Sequence, residues 1–360
     1  MSHQKVIGAH LPAADRIIKT CDRLKRWRRH ARKRLVGTAA MLRYGVRARW
    51  AELRGRPEAA IDALGYLARH HTAGRKSAGT YAQVARLHRC YGDGLLDHCV
   101  DSAPPRGIIL FIGYARSGHS LVGSLLDAHP EIAISHELHG LERLHSGMTF
   151  DELIGAIKYN SYFFQRFGRT NTGYDYVVPG QYQGLCRGLS YAGDKNGNGT
   201  SLLLDRHPEL IDGLLSKSPY PLKFIHVVRN PLDMAATKAL RTGTSTMDAT
   251  RRVLANIAVV ANLKRCLPTG ADLVDVSLEG LIERPEETIR ELLAVLELQS
   301  PPGYVEACSH VVASKVRRSR DQVRWDQRAL KHLRTAIHEQ PFLTRYVGDE
   351  AVTAERNAAS

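Results

Sequence analysis

The sequence predicts an α/β protein, a P-loop-like three-layer fold with a central parallel sheet flanked by helices, plus a basic helical N-terminal region. Three observations point that way. The stretch from Gly107 to Asp127, GIILFIGYARSGHSLVGSLLD, passes from an apolar run through a glycine-bounded loop into helical spacing. Two later apolar runs, within Glu131 to Glu137 and Leu222 to Val228, read as further short strands that deliver polar residues at their ends. The positive charge, finally, is gathered at one end of the chain.

At 360 residues with 43% hydrophobic content, the chain suits one large domain with an appendage. No uninterrupted apolar span approaches the length of a membrane helix and no early apolar run resembles a signal peptide, so the expected compartment is the cytosol, peripheral to a membrane at most. Residues 1–60 hold 16 Lys/Arg against four acids, and therefore 12 of the net +15 charges. Ile17, Cys21, Leu24 and Trp27 or Arg28 follow helical spacing, which gives an amphipathic helix with cations outward. Such a helix suits an anionic membrane surface or nucleic acid, and equally a helical subdomain with a solvated face. Pro57 fits the first turn of another helix, and short helical segments (Ala59 to Ala68, Tyr81 to Cys90) lead to a linker at Pro104 and Pro105. The expected division is 1–103 for the basic region, 104–345 for the α/β domain and 346–360 for a flexible tail. Six scattered cysteines without a Cys-x-x-Cys pair indicate reduced thiols, not a zinc site or disulfide framework.

Ile108 to Ile112 should form a buried strand that breaks at Gly113, and Leu121, Leu125 and Leu126 mark one side of the following helix. Amides of the loop and the first helical turn then converge where the helix dipole favours an anion. The spacing Gly113, four residues, Gly118 matches a P-loop, but His119 and Ser120 follow in place of Lys and Ser/Thr. The cation sits inside the loop as Arg116. Backbone amides, one arginine and a hydroxyl can hold an anion without metal, which points to a phosphate-bearing donor and away from ATP hydrolysis.

His129-Pro130 ends the helix, because proline cannot continue the ladder and restricts the residue before it. The next short strand carries His136 and Glu137 to the sheet edge that Arg116 occupies, where open α/β sheets bind ligands. Adjacent strand residues face opposite ways, so one of the two is expected to point at the donor. Residues 149–192, rich in Tyr, Phe, Gly and Gln, suit an acceptor pocket or core packing equally. Lys195 follows near a strand end, able to counter charge on a leaving phosphate. In the third stretch Phe224 to Val228 is a buried strand, Arg229 stands at its end, and Pro231 fits the first turn of a helix on which Thr237 lies about two turns in. Asp233 is placed to cap that helix or to bind Arg229.

With these stretches together, the sequence resembles the sulfotransferases that use 3′-phosphoadenosine-5′-phosphosulfate. Their Pro-Arg/Lys-Ser-Gly-Thr-Thr loop is matched by Ala115-Arg116-Ser117-Gly118-His119-Ser120, and their strand-end arginine with a serine eight residues on by Arg229 and Thr237. Ala115, His119 and Thr237 depart from the pattern. In motif order the chain is similar to the tyrosylprotein branch, with Leu126-Asp127-Ala128-His129-Pro130 after the loop, Glu137 21 residues beyond Arg116, and a segment Ser314-Lys315-x-x-Arg318-Ser319-x-Asp321-Gln322-Val323. The resemblance implies that Arg116, Ser117, Gly118, His119 and Ser120 hold the 5′-phosphosulfate and that Arg229 and Thr237, with Lys315 and Arg318, complete the donor site. It implies Glu137 as base, Arg116 and Lys195 as charge-stabilising groups, and Ser314 or Lys315 at the leaving phosphate. His136 is the rival base.

The expected activity is transfer of a sulfuryl group to an acceptor hydroxyl on a carbohydrate, lipid, small metabolite or peptide, without metal. A P-loop phosphotransferase or kinase would need a lysine after Gly118 and a metal-binding aspartate. A nucleic-acid-binding protein would account for the basic N-terminus but not for Arg116, Glu137 and Arg229, so no specific nucleic acid partner is expected.

Overall fold

The computed structural model describes residues 46–51, 54, 56, 59–64, 104–166, 169–171, 174–268 and 271–349. Along the chain run β1 (Gly107–Ile112), α1 (His119–Asp127), β2 (Ile132–His136), α2 (Gly140–His145), α3 (Phe150–Arg166) and the paired two-residue strands β3 (Thr170–Asn171) and β4 (Tyr174–Asp175). There follow β5 (Tyr191–Lys195), α4 (Gly197–Arg206), α5 (Glu209–Lys217), β6 (Leu222–Val228), α6 (Pro231–Thr242), α7 (Thr246–Cys266) and β7 (Asp272–Ser277). The last helices are α8 (Leu278–Glu283), α9 (Pro285–Val295), α10 (Tyr304–Val311) and α11 (Gln327–Glu339). Five strands pair in the order β2-β5-β1-β6-β7, every pair parallel, which is the predicted fold class.

The central strand shows why the sheet needs helices on both sides. All six residues of β1 are buried, and their alternation divides them between two cores. Ile109 and Phe111 pack with Val122, Leu125 and Leu126 of α1 and Leu292 of α9, while Ile108, Leu110 and Ile112 meet Leu141, Leu203, Leu204 and Leu214 on the other face. The register sets Leu110 beside Asp194, Ile112 beside His226 and His136 beside Lys195, so the carboxyl ends of four strands reach one edge together.

The motif Leu126 to Pro130 acts as framework. Asp127 Oδ1 accepts from the Ile134 amide at 2.6 Å, Ser161 Oγ donates to the same carboxylate, and Arg169 forms a fully buried ion pair with it. His129 Nε2 lies 2.9 Å from the Gln299 carbonyl oxygen, and its ring meets Tyr304 edge-on. Two helices, α3 and α10, the segments around Arg169 and Gln299, and β2 are fixed to the loop helix in this way. Packing is also the role of Tyr159, Tyr162, Phe163 and Phe164, buried on α3, whereas Tyr174 is exposed.

Pro231 takes the first turn of α6 as expected, but the cap is Asn230, whose side chain accepts from the Leu232 amide at 2.9 Å. Asp233 neither caps the helix nor pairs with Arg229. It accepts from the Arg320 amide at 2.8 Å, because the segment after α10 lies along α6. In the amino-terminal region, residues 46–51 and 59–64 are helical, and Ala48, Ala51, Ala60, Ile61 and Leu64 share a core with Leu153, Ile157 and Phe163 of α3. The expected helices around Ile17 to Arg28 and Tyr81 to Cys90, and most of the 346–360 tail, lie outside the described residues. Among the described residues no helix is long and apolar enough to cross a membrane.

Candidate active site

The loop after β1 is built for close approach. Gly113, Arg116 and Gly118 all have positive φ, at 133°, 79° and 101°. A side chain at Gly118 would be strained, and its Cβ would fall 2.6 Å from Leu278 Cδ1. The first turn of α1 has no side-chain cap and no acidic residue, which leaves its amide end open to an anion. Ser117 is buried with its Oγ 3.2 Å from His119 Nδ1, and Ser120 is half-buried at the helix start. Burial, reinforced by Lys195 and Arg116, pushes the His119 imidazole down to about 3, so the ring is neutral at physiological pH.

At the ends of β2 and β5, Lys195 Nζ donates to Glu137 Oε1 at 3.1 Å and lies 3.4 Å from His136 Nε2. The expectation that only one of His136 and Glu137 would face this point is corrected. The chain turns left-handed at Glu137, with φ 54°, so strand alternation no longer applies and both side chains reach the same ammonium. The Lys195 side chain is 2% exposed and that of Glu137 45% exposed. Burial lowers the lysine pKa while Glu137 opposes the shift. The lysine stem passes over α1 at Gly123, where an added Cβ would sit 2.9 Å from Lys195 Cγ. His136 is stacked on Phe164 at 4.2 Å, and its amide donates to Asn160 Oδ1 at 2.7 Å.

Arg229, at the end of β6, donates from Nη1 to the Arg116 carbonyl at 3.0 Å and so ties the two cation-bearing segments together. Thr237 Oγ1 donates to Ser319 Oγ at 3.0 Å, which places the carboxyl-terminal segment against α6. Between loop and helix lies a cavity of about 210 Å³, lined in part by Arg116, Thr237, Lys238, Arg241 and Asn256. Burial and the facing Arg241 lower the Arg116 pKa, and burial followed by Arg252 lowers that of Lys238. Arg116, Lys238 and Arg241 gathered around one cavity present a site for a polyanion. Ser314, Lys315 and Arg318 are exposed. Arg318 pairs with Asp321 at 3.3 Å, and none of the three is hydrogen-bonded to the Lys195 cluster among the described residues.

Sequence reading passed over several residues of this edge. Arg241 follows Thr237 by one helical turn, a signal visible in the spacing. Gly123, a glycine inside a helix, was a weaker one. Asn160, Phe164 and the buried Asp194 gave none, because each meets the cluster only through the register of other elements. Among the described residues no group of three or more His, Cys, Asp or Glu could hold a metal ion.

The sequence model described as "Sulfotransferase family" matches residues 109–302, more than half of the chain. No curated protein matches the chain. Among solved structures, a sulfotransferase from Alicyclobacillus acidocaldarius is similar at 16% identity, over 71% of this chain and 95% of its own, with a TM-score of 0.35. One from Mycobacterium avium is similar at 12% identity, over 73% and 83%, with a TM-score of 0.37. A mouse sulfotransferase complexed with PAP is similar at 11% identity, over 73% and 94%, with a TM-score of 0.36.

Proposed function

The chain belongs to the sulfotransferase family, and from that membership we propose that it moves a sulfuryl group in line from 3′-phosphoadenosine-5′-phosphosulfate to an acceptor hydroxyl. One observation carries this reading: a buried lysine ammonium, bonded to a half-exposed glutamate, at the sheet edge that also bears the Arg116 loop. The donor, when bound, supplies an activated sulfuryl group on a phosphate leaving group. The loop amides, Arg116 and Ser120 suit its 5′ end, and Arg229, Thr237 and the cations of the 210 Å³ cavity suit its 3′-phosphate. The donor is a polyanion and the residues present form a polycation.

Glu137 is the base. Its exposure leaves the carboxylate open to an acceptor, and the bond to Lys195 aims it. His136 is the poorer candidate, since its Nε2 faces the same ammonium and its ring is held against Phe164. Lys195 and Arg116 oppose negative charge that develops on the sulfuryl and bridging oxygens. Ser314 or Lys315 retains the leaving-group role that the tyrosylprotein branch implies, Lys315 and Arg318 belong to the donor site, and Ser319 is the point where their segment already meets Thr237. The same motif order supports placing the chain nearest that branch. The acceptor is a hydroxyl of a carbohydrate, lipid, small metabolite or peptide, and the basic residues 1–60 suit work at an anionic membrane surface.

Calorimetric titration with adenosine 3′,5′-bisphosphate in EDTA tests the reading. Binding is expected without Mg²⁺, weakened by Arg229→Ala or Arg241→Ala by about 1.5–3 kcal/mol, the worth of a bond to a charged group. No detectable binding at millimolar ligand would overturn it. For the base, Glu137→Gln should lower sulfuryl transfer about 10²- to 10⁴-fold. Near-full transfer in Glu137→Gln combined with none in His136→Ala would reverse the assignment.

A further inference from the structure

Asp194 precedes Lys195 on β5 and, by strand alternation, its side chain leaves the opposite face of the strand. It is 1% exposed and makes no ion pair with Lys or Arg among the described residues. A buried carboxylate without a cation survives only where donors surround it, and here there are three. Asp194 Oδ1 accepts from Ser135 Oγ at 2.8 Å and from the Leu138 amide at 3.0 Å, and Oδ2 accepts from the Gly140 amide at 2.7 Å. Leu138 and Gly140 alternate with Glu137 and His139, the two residues of this turn in left-handed conformation, at φ 54° and 58°. The Glu137 amide itself donates to the Lys195 carbonyl at 3.2 Å.

The turn is therefore suspended from the Asp194-Lys195 pair of β5. Non-glycine residues adopt the left-handed region only when their surroundings over-determine it. A relaxed backbone at Glu137 would continue β2 and swing the carboxylate to the strand's other face, away from Lys195. Nothing else among the described bonds holds both amides of this turn. We infer that Asp194 is a positioning residue, whose carboxylate locks the 137–140 turn and so sets the Glu137 base on the Lys195 ammonium. The inference rests on the reading of Glu137 and Lys195 as catalytic partners.

The test follows Lys195 directly and needs no acceptor. Its ε-methylene signal, in protein labelled at lysine Cε, is assigned by its loss in Lys195→Arg and titrated in the wild type, Glu137→Gln, Asp194→Asn and the double variant. The titratable groups that act on Lys195 are Glu137 and His136, which face it, His119 at the start of α1, and Asp194 from the other face of its own strand. Glu137→Gln should lower the lysine pKa by removing its partner. Asp194→Asn should lower it by two routes, loss of its own charge and release of Glu137, and only the first survives in the Glu137→Gln background. The expected result is a much smaller effect of Asp194→Asn in that background than in the wild type. Equal effects in both would mean that Asp194 acts by charge alone and would overturn the inference, as would an unchanged Lys195 titration in Glu137→Gln. Should Asp194→Asn not fold, hydrogen exchange in the wild type decides. Protected Leu138 and Gly140 amides support the lock, and exchange at open-loop rates overturns it. Adenosine 3′,5′-bisphosphate binding, measured on the same proteins, judges the donor reading separately, since Asp194→Asn should bind it as the wild type does.

Discussion

His119 occupies the loop position where the family resemblance expects threonine, and its burial has a measurable consequence. Its pKa falls to about 3 from 6.5 because the ring is desolvated and faces Lys195 and Arg116. The folded pKa lies below the unfolded one, so between these values the unfolded chain binds the proton and the folded chain does not. Stability from this group is complete above about pH 6.5 and is lost as pH falls toward 3, at about 1.4 kcal/mol per pH unit. Chemical denaturation should therefore show the wild type losing about 2 kcal/mol more than His119→Asn between pH 7 and pH 5. Parallel slopes would refute it, since the other buried histidines, His129 and His226, titrate in both proteins. At this scale the sequence was legible where spacing alone fixes a role. Arg116, Glu137 and Lys195 could be expected to converge because each lies at or just beyond the carboxyl end of a strand in the same parallel sheet. Asp194 could not, since its three donors come from β2 and the turn after it, and only the register brings them together.

Among the elements, α1 carries both the uncapped turn proposed to hold the donor and the floor under Lys195. Replacing a helix-interior glycine by alanine ordinarily stabilises a helix by about 0.5–1 kcal/mol. At Gly123 the added Cβ would stand 2.9 Å from Cγ of a lysine that is buried and held by Glu137. Overpacking of that kind costs about 1–3 kcal/mol, so the clash should outweigh the propensity gain. Gly123→Ala is expected to destabilise the protein by about 1–2 kcal/mol in thermal denaturation. It should also depress sulfuryl transfer while leaving adenosine 3′,5′-bisphosphate bound at Arg229 and Arg241. A stabilised variant with full transfer would show that Lys195 is free to move. The strands and the loop helix were readable because β1, β2 and β6 are short, mostly apolar runs that give way to Gly113, His136 and Arg229. The capping of α6 was misread for a reason of chain order. Asp233 looks like a cap locally, but Arg320, 87 residues later, claims it.

Over the whole molecule, the α/β domain and the amino-terminal region are joined by a specific piece of core. Ile61 and Leu64, with four alanines from residues 46–64, are buried against α3, and α3 supplies Asn160 and Phe164 to His136. Burial of each large aliphatic side chain contributes about 1.5–3 kcal/mol, whereas the exposed ion pair between Arg166 and Asp62 adds about 1 kcal/mol or less. A chain lacking residues 1–103 should thus lose about 3–6 kcal/mol relative to one lacking residues 1–45, a large fraction of the roughly 5–15 kcal/mol typical of a domain. Charge separates along the same boundary in a different way. Residues 1–45 hold 12 Lys/Arg and two acids, so their removal takes ten of the 15 excess positive charges and leaves the core residues of the 46–64 segment in the chain. The shorter truncation should retain the wild-type denaturation midpoint and adenosine 3′,5′-bisphosphate affinity, yet lose salt-sensitive binding to vesicles containing phosphatidylserine, to which each cation near the surface contributes about 1 kcal/mol. Undiminished vesicle binding would move the membrane contact onto the folded domain. Equal stability of the two truncations would mean that α3 can bury its amino-terminal face without residues 46–64.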